Sequence, residues 1–325
     1  MTLYATPELE AMRPHINAVI FDMDGVLLDI SQSIRVVNCL AVPFYLREVL
    51  GWPAPDDLIT SADIEAFKHA GGFNDDWELT YALVLHYLAK EHENPDASPA
   101  TLNVLQPSLA RFAHHIKERG GGLKAAEAIY FEHLTADDRL AIEKYYRKPA
   151  IRQCFEELLA GEYTERLYGR PVEYYRGPGY INQDRPLIDP SRVPQDKKLG
   201  VQTGRTWEEA WLGMEFTRLH GLIPDEHVVT KRDKFHKPDP GGLALLARRL
   251  AFTHALYIGD TLDDLRTVRN FNVLGNQAAT FWGALVLTGP AGAANAKTFR
   301  RAQPDLLAPD VHAVLDWLVG VPSAL

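Results

Sequence analysis

Apolar residues follow two rhythms along this chain, and the change of rhythm divides it. A run of apolar β-formers from Ala18 to Phe21, within NAVIFDMDG, stops abruptly at acids and Gly25. That is the pattern of a buried central strand ending in a tight turn. From about Ser33 to Gln195 the apolar positions recur instead at spacings of three and four residues. Asp76 to Lys90 (DWELTYALVLHYLAK) and Ala150 to Ala160 (AIRQCFEELLA, followed by Gly161) are the clearest cases, and they predict helices with no strands between them. From Lys198 onward short apolar segments alternate with helical ones. LGVQT, HVVT, HALYIGD, GALVLT and PDLLA predict strands. Thr206 with Glu209 forms a capping box that starts a helix running to His220 and stopped by Gly221. PGGLALLARRL, a stretch from about Leu262, and Asp310 to Val319 predict further helices.

Strand and helix in strict alternation predict the α/β class: a doubly wound parallel sheet with helices on both faces, binding ligands beyond the carboxyl ends of its strands. Ala18 to Phe21 should join that sheet, which makes the helical middle an insertion. The expected organisation is a core of residues 13–32 and 196–325 with a large, mainly helical domain, 33–195, inserted in it. The insertion ends in a turn-rich, tyrosine-rich stretch, LYGRPVEYYRGPGYINQDRP. Its tyrosines are read as covering the insertion or as a contact in a homodimer.

Composition narrows the function classes. The 325 residues suit two domains at roughly 100 to 200 residues each. An apolar share of 46% and a charged share of 24% allow a sizeable core. A net charge of −9 and a pI near 5.7 argue against nucleic acid or an anionic membrane as partner, because phosphate-tracking proteins need a dominant basic surface. The most apolar long stretch, Phe281 to Ala294, is broken by Pro290 and falls short of the roughly 18 residues that a spanning helix needs. The N-terminal residues have no apolar segment of the signal-peptide kind, so a soluble, cytoplasmic protein is expected. Cys39 and Cys154 form no CxxC pair and are read as small buried thiols.

The polar residues at the predicted strand ends carry the chemistry. Asp22 and Asp24 stand two apart after the first strand, so period-two alternation aims both carboxylates to one side of the sheet end. Two such acids persist together when a cation, a shared proton or water offsets their repulsion. LGVQT ends in Thr203, with Gly204 and Arg205 beyond it; Lys237 lies in HKPDP; HALYIGD ends in Asp260, followed by Asp263 and Asp264. Singly, Thr203 reads as a turn residue, Lys237 as a surface lysine, and Asp263 with Asp264 as acids complementing a helix dipole. Together they lie where a parallel sheet collects its ligand.

This ordered set, DMDGV at Asp22 to Val26, Thr203 in VQTGR, Lys237 in KPDP and GDTLDD at Gly259 to Asp264, resembles the haloacid dehalogenase superfamily of phosphotransferases. More than half the chain separates Asp22 from Thr203, whereas the interval from Thr203 to Lys237 holds only one helix and one strand. That placement is similar to the branch with a helical cap after the first motif, as in phosphoglycolate phosphatase and β-phosphoglucomutase. The resemblance implies a Mg²⁺-dependent phosphomonoester hydrolase with Asp22 as nucleophile, through an aspartyl-phosphate, and Asp24 as acid and then base. It implies Mg²⁺ held by Asp22, the Asp24 backbone carbonyl and Asp260, with Asp264, or second to it Asp263, orienting waters or the lysine. Thr203 and Lys237 would hold the phosphoryl group, Gly204 would allow close backbone approach, and Arg205 would add a charge, unless it is a solvated arginine at a helix start.

The expected partner is a small phosphorylated metabolite. In the cap, Asn74, Asp76 and Trp77 of GGFNDDWELT form a polar set with an aromatic face suited to a sugar or base, and the preceding Gly71 and Gly72 suit a mobile contact. The bland reading is a helix N-cap at Asp75 or Asp76 with Trp77 as a core anchor. A phosphomutase on the same core, or an inert binding protein, are the alternatives to a phosphatase. An acid two residues after the nucleophile argues against carbon–halogen chemistry.

Overall fold

The structure, a computed structural model, describes residues 3–73, 75–275, 278–289 and 292–321. It divides into two compact units, 1–30 with 184–325, and 31–183. The divisions fall at 30/31 and 183/184, where sequence reading put 32/33 and 195/196.

The first unit is a seven-stranded sheet. Its strands are β1 (Tyr4–Ala5), β2 (Ala18–Phe21), β5 (Lys198–Gln202), β6 (Val228–Val229), β7 (His254–Gly259), β8 (Thr280–Val286) and β9 (Leu306–Ala308), in the order β1-β9-β8-β7-β2-β5-β6. Two further strands, β3 (Leu28–Asp29) and β4 (Arg185–Pro186), pair by themselves. All neighbours in the large sheet are parallel except β1, which runs antiparallel to β9 at one edge. The uninterrupted apolar run of β2 follows from burial on both faces. Val19 and Phe21 feed one core with Leu199, Val201, Leu256 and Ile258, closed by Ala210, Met214, Val314 and Leu315 from helices Trp207–Phe216 and Val311–Val319. Ala18 and Ile20 feed the opposite core with Ala255, Tyr257 and Phe281, closed by Leu243, Leu246, Val268 and Phe271 from helices Gly241–Leu250 and Leu262–Val273.

Register then places the chemistry. Phe21 pairs with both Val201 and Ile258, so Asp22, the Gln202–Thr203 end of β5 and the Gly259–Asp260 end of β7 emerge along one edge.

The second unit is helical among the described residues. Its helix Asp76–Glu93 is buried at every position from Leu79 to Lys90, so it lies inside this unit rather than showing the one-sided burial that spacing suggested. Two of its buried polar residues reach across to neighbouring segments: Lys90 Nζ donates to the carbonyls of Leu105 and Pro107 at 2.6 and 3.1 Å, and His86 Nδ1 meets the Tyr130 hydroxyl at 2.6 Å. The tyrosine-rich stretch is pinned by one buried carboxylate. Glu157 accepts the backbone N–H groups of Glu173, Tyr174 and Tyr175 at 2.7 to 2.8 Å. Cys154 is buried, whereas Cys39 is partly exposed. No helix among the described residues is long and apolar enough to cross a membrane.

Candidate active site

Strand β2 ends at Phe21, and the next residue, Asp22, continues the ladder by donating its N–H to the Ile258 carbonyl at 2.8 Å. This fixes its backbone at the sheet edge. Its Oδ1 accepts from the Met23 N–H at 2.8 Å and from Lys237 Nζ at 2.7 Å. Lys237 also donates to Asp264 Oδ1 at 2.6 Å, so one buried ammonium is shared by two carboxylates. Asp264 Oδ1 also accepts from the Tyr257 hydroxyl at 3.0 Å. Its Oδ2 accepts from the N–H groups of Asp260 and Thr261 and from the Thr261 hydroxyl. Thr261 and Asp264 form the capping box of helix Leu262–Val273, and this turn holds Asp260 against the site.

Asp22, Asp260 and Asp264 each offer an oxygen within 4.8 Å of the others, and all three are buried. Burial, the Asp264 charge and the other acids push Asp22 up to about 7 despite Lys237. Burial and the charges of Asp264 and Asp22 push Asp260 well above the usual carboxylate range. Burial also acts on Asp264, but Lys237 and its many donors outweigh it and hold that carboxyl low. Burial pulls Lys237 down, and Asp22 with Asp264 more than offset it. The trio therefore concentrates more negative charge than one ammonium balances. That donor set, all hard oxygen, fits a divalent cation such as Mg²⁺ at Asp22 and Asp260. Gly25, at φ +73°, and Gly289 permit this packing: a Cβ on either would collide with the Asp260 carboxylate.

Thr203 is buried at the end of β5, and its Oγ1 accepts the Arg205 N–H at 3.2 Å. Gly204 is exposed, and a Cβ there would meet nothing within 4 Å, so the protein's own packing does not demand glycine at that position.

Four of the expected site residues make contacts that the sequence did not show. The Asp24 carboxylate is not in the converging trio; the chain has left β2, alternation no longer governs it, and Oδ1 bonds Arg205 instead. Arg205 is not a solvated arginine. Its side chain is 10% exposed and lies between Asp24, at 2.7 Å, and the buried Asp184, at 2.8 Å. Asp263 points outward to Arg266 at 2.8 Å. Asp76 is committed within the helical unit, accepting from Asn38 Nδ2 at 2.9 Å and Lys68 Nζ at 2.8 Å. Trp77 is only partly buried and carries the Arg152 guanidinium 4.3 Å over its ring, while Asn74 lies outside the described residues.

Sequence reading missed Asp184, Tyr257 and Thr261. Tyr257 sits two residues before GDTLDD and Thr261 lies within it, and they were findable as the inward strand position and the N-cap of the helix. Asp184 lies in a turn-rich stretch remote from every motif, with no local signal.

No family model matches the chain. It is 25% identical over 323 residues to a Phytophthora nicotianae protein named imidazoleglycerol-phosphate dehydratase, covering 96% of this chain and 55% of that one. It is 30% identical over 152 residues to glutamate–tRNA ligase 2 of Koribacter versatilis, covering 36% and 30%. The chain thus spans about half, or less, of the curated relatives it matches. An X-ray structure from the Northeast Structural Genomics Consortium superposes with a TM-score of 0.66 at 16% identity, covering 94% of this chain and all of that one. A HAD hydrolase of family IA, variant 3, from Entamoeba histolytica gives 0.39 at 12% identity, covering 92% and 99%. The 0.66 superposition is a likeness of fold, and in this chain that fold is a parallel sheet with the DMDGV, Thr203, Lys237 and GDTLDD segments along one edge and a helical insertion after the first.

Proposed function

We propose that this haloacid dehalogenase-like chain is a Mg²⁺-dependent phosphomonoester hydrolase acting on a small phosphorylated metabolite. The observation that carries the reading is the Lys237 ammonium shared by Asp22 and Asp264, with Asp260 beside them. A buried, acid-rich cluster around the Lys237 ammonium suits a polyanionic group only together with a cation. Asp22, Asp260 and the Asp24 backbone carbonyl would hold that ion, which when bound supplies positive charge to the phosphoryl oxygens and keeps Asp22 ionised.

The chain's own residues perform the transfer. Asp22 attacks phosphorus and forms an acyl-phosphate bond as the ester P–O bond breaks; Asp24 gives the leaving oxygen its proton. Water then attacks the phosphoryl group, its proton returns to Asp24, and Asp22 is released with inorganic phosphate. Thr203 and Lys237 donate to the phosphoryl oxygens in both steps.

The test is sustained phosphate release from an aryl phosphate in Mg²⁺, lost in chelator and in Asp22→Asn. A phosphomutase would release only traces, and a binding protein none. A panel of phosphorylated metabolites would identify the substrate class; the name of the Phytophthora relative supplies one member, imidazoleglycerol phosphate.

A further inference from the structure

We propose that Arg205 is a positioning residue that, anchored on Asp184, holds the Asp24 carboxylate where it exchanges its proton; this rests on the phosphohydrolase reading above. Arg205 Nε and Nη2 both reach Asp24 Oδ1, at 2.8 and 2.7 Å, and Nη2 reaches Asp184 Oδ2 at 2.8 Å. Both bonds to Asp24 fall on one oxygen, which leaves Oδ2 for the leaving group or the attacking water. Asp24 needs such a tether. Its backbone is bridged to Leu28 beyond the end of β2, but its side chain is 32% exposed, so packing alone does not select its rotamer.

Arg205 itself is fixed at three points. Its N–H is bonded to Thr203 Oγ1 and its carbonyl accepts the Lys231 N–H at 2.9 Å, which tie its backbone to the loops after β5 and β6. Asp184, with a side chain 1% exposed, holds the guanidinium from the other end. Asp184 immediately precedes Arg185, which pairs with Asp29 in the small β3–β4 sheet, so the anchor is set by backbone pairing. Turning Arg205 toward a phosphoryl oxygen would break its bonds to Asp24 and to the buried Asp184. Acting on Asp24 keeps both bonds. Lysine, with one point charge, cannot reproduce the fork that spans two carboxylates.

Positioning and phosphate binding differ in what they do to leaving groups. kcat/KM covers only the steps through ester P–O cleavage, and Asp24's proton matters most when the departing oxygen is basic. Wild type, Arg205→Ala, Arg205→Lys and Asp184→Asn would be compared in Mg²⁺ on p-nitrophenyl phosphate and phenyl phosphate, with inhibition by inorganic phosphate measured alongside. For Arg205→Ala we expect kcat/KM to fall ~100-fold on phenyl phosphate and less than ~10-fold on p-nitrophenyl phosphate, within the range of a positioned acid. Phosphate inhibition should stay within about threefold of wild type, Arg205→Lys should recover part of the loss, and Asp184→Asn should show the same leaving-group pattern more weakly. Those two variants carry the test if Arg205→Ala does not fold. Equal losses on both esters, or phosphate inhibition weakened in step with kcat/KM, would overturn the inference. A wild-type protein inactive on every aryl phosphate would overturn the hydrolase reading, and the inference with it.

Discussion

The Lys237 ammonium lies 2.6 Å from Oδ1 of Asp264, a carboxylate whose other oxygen already accepts from Asp260 and Thr261. Asp264 therefore aims the lysine and closes the helix start, and its acceptor capacity is spent on protein donors rather than on a cation. Asp264→Asn places an amide N–H₂ among donors and breaks a buried pair, so it should destabilise the protein by about 3–5 kcal/mol. The neighbouring Asp263→Asn, which loosens only an exposed pair with Arg266, should stay within about 0.5 kcal/mol. Urea unfolding of the two variants checks this; similar midpoints would contradict the division of labour.

A second expectation separates the two acids of DMDG. On the proposed mechanism Asp22→Asn removes the attacking oxygen and should abolish turnover. Asp24→Asn keeps the pocket around Lys237 and Thr203 and should lower kcat by about 10² to 10⁴ with little change in phosphate affinity. Rapid-quench trapping of phosphorylated protein should find label on wild type and none on Asp22→Asn. A labelled Asp22→Asn protein would move the nucleophile elsewhere.

The same cluster makes stability depend on pH when no cation is bound. Between the ordinary carboxyl range and about 7, folded Asp22 keeps a proton that the unfolded chain has already lost. Stability should therefore fall as pH rises through that window, and Asp260, shifted the same way, should deepen the fall. Asp264, held low, acts oppositely and only at the acid end, where its contribution disappears as it protonates. A divalent cation competes with the protons on Asp22 and Asp260, so Mg²⁺ should raise the melting temperature more near pH ~8 than near pH ~5. Equal Mg²⁺ shifts at both values, or an unchanged pH slope in Asp22→Asn, would contradict this.

What the sequence made legible follows from how local each signal is. Strand ends β2, β5 and β7 announce themselves because a buried parallel strand is apolar on both faces and then stops at Asp22, Thr203 or Asp260. Register does the rest, since Phe21, Val201 and Ile258 pair directly. Strand β1 escaped notice because two residues at a sheet edge carry no periodicity. The Arg205 fork was misread because its second partner, Asp184, arrives from the far end of the insertion, and chain proximity says nothing about it.

Glycine pairing was misread for the same reason. Gly71 and Gly72 suggested a mobile contact, but they pack backbone to backbone on Gly121 and Gly122, where the Gly122 N–H donates to the Gly71 carbonyl at 2.8 Å. Gly72 has φ +77°, and a Cβ there would lie 2.6 Å from the Gly122 nitrogen. Gly72→Ala should therefore cost about 2–4 kcal/mol, combining left-handed strain with a backbone clash. Gly51→Ala, at φ +72° with nothing within 4 Å, should cost only about 1 kcal/mol. Thermal unfolding of the two variants would show whether the crossing is a packed joint; matching melting temperatures would make it the flexible loop that the sequence suggested.

Asp76 decides whether the Phe73 to Trp77 segment reads substrate. Its Oδ1 takes both the Asn38 amide and the Lys68 ammonium, and Asn38 is 3% exposed, so removing the acceptor leaves a buried amide donor without its bond. Asp76→Ala should lower stability by about 1–3 kcal/mol, the penalty of an unsatisfied buried donor. Because that carboxylate is spent on holding the helices Ile34–Glu48 and Ser61–Ala70 to the start of Asp76–Glu93, its loss should scale kcat/KM equally for a small aryl phosphate and for whichever metabolite the panel identifies. Lys68→Met removes the exposed partner alone and should cost less than about 1 kcal/mol. Measuring both substrates at a temperature well below each variant's midpoint separates folding from recognition. A selective loss on the metabolite, with the midpoint unchanged, would return Asp76 to the binding surface.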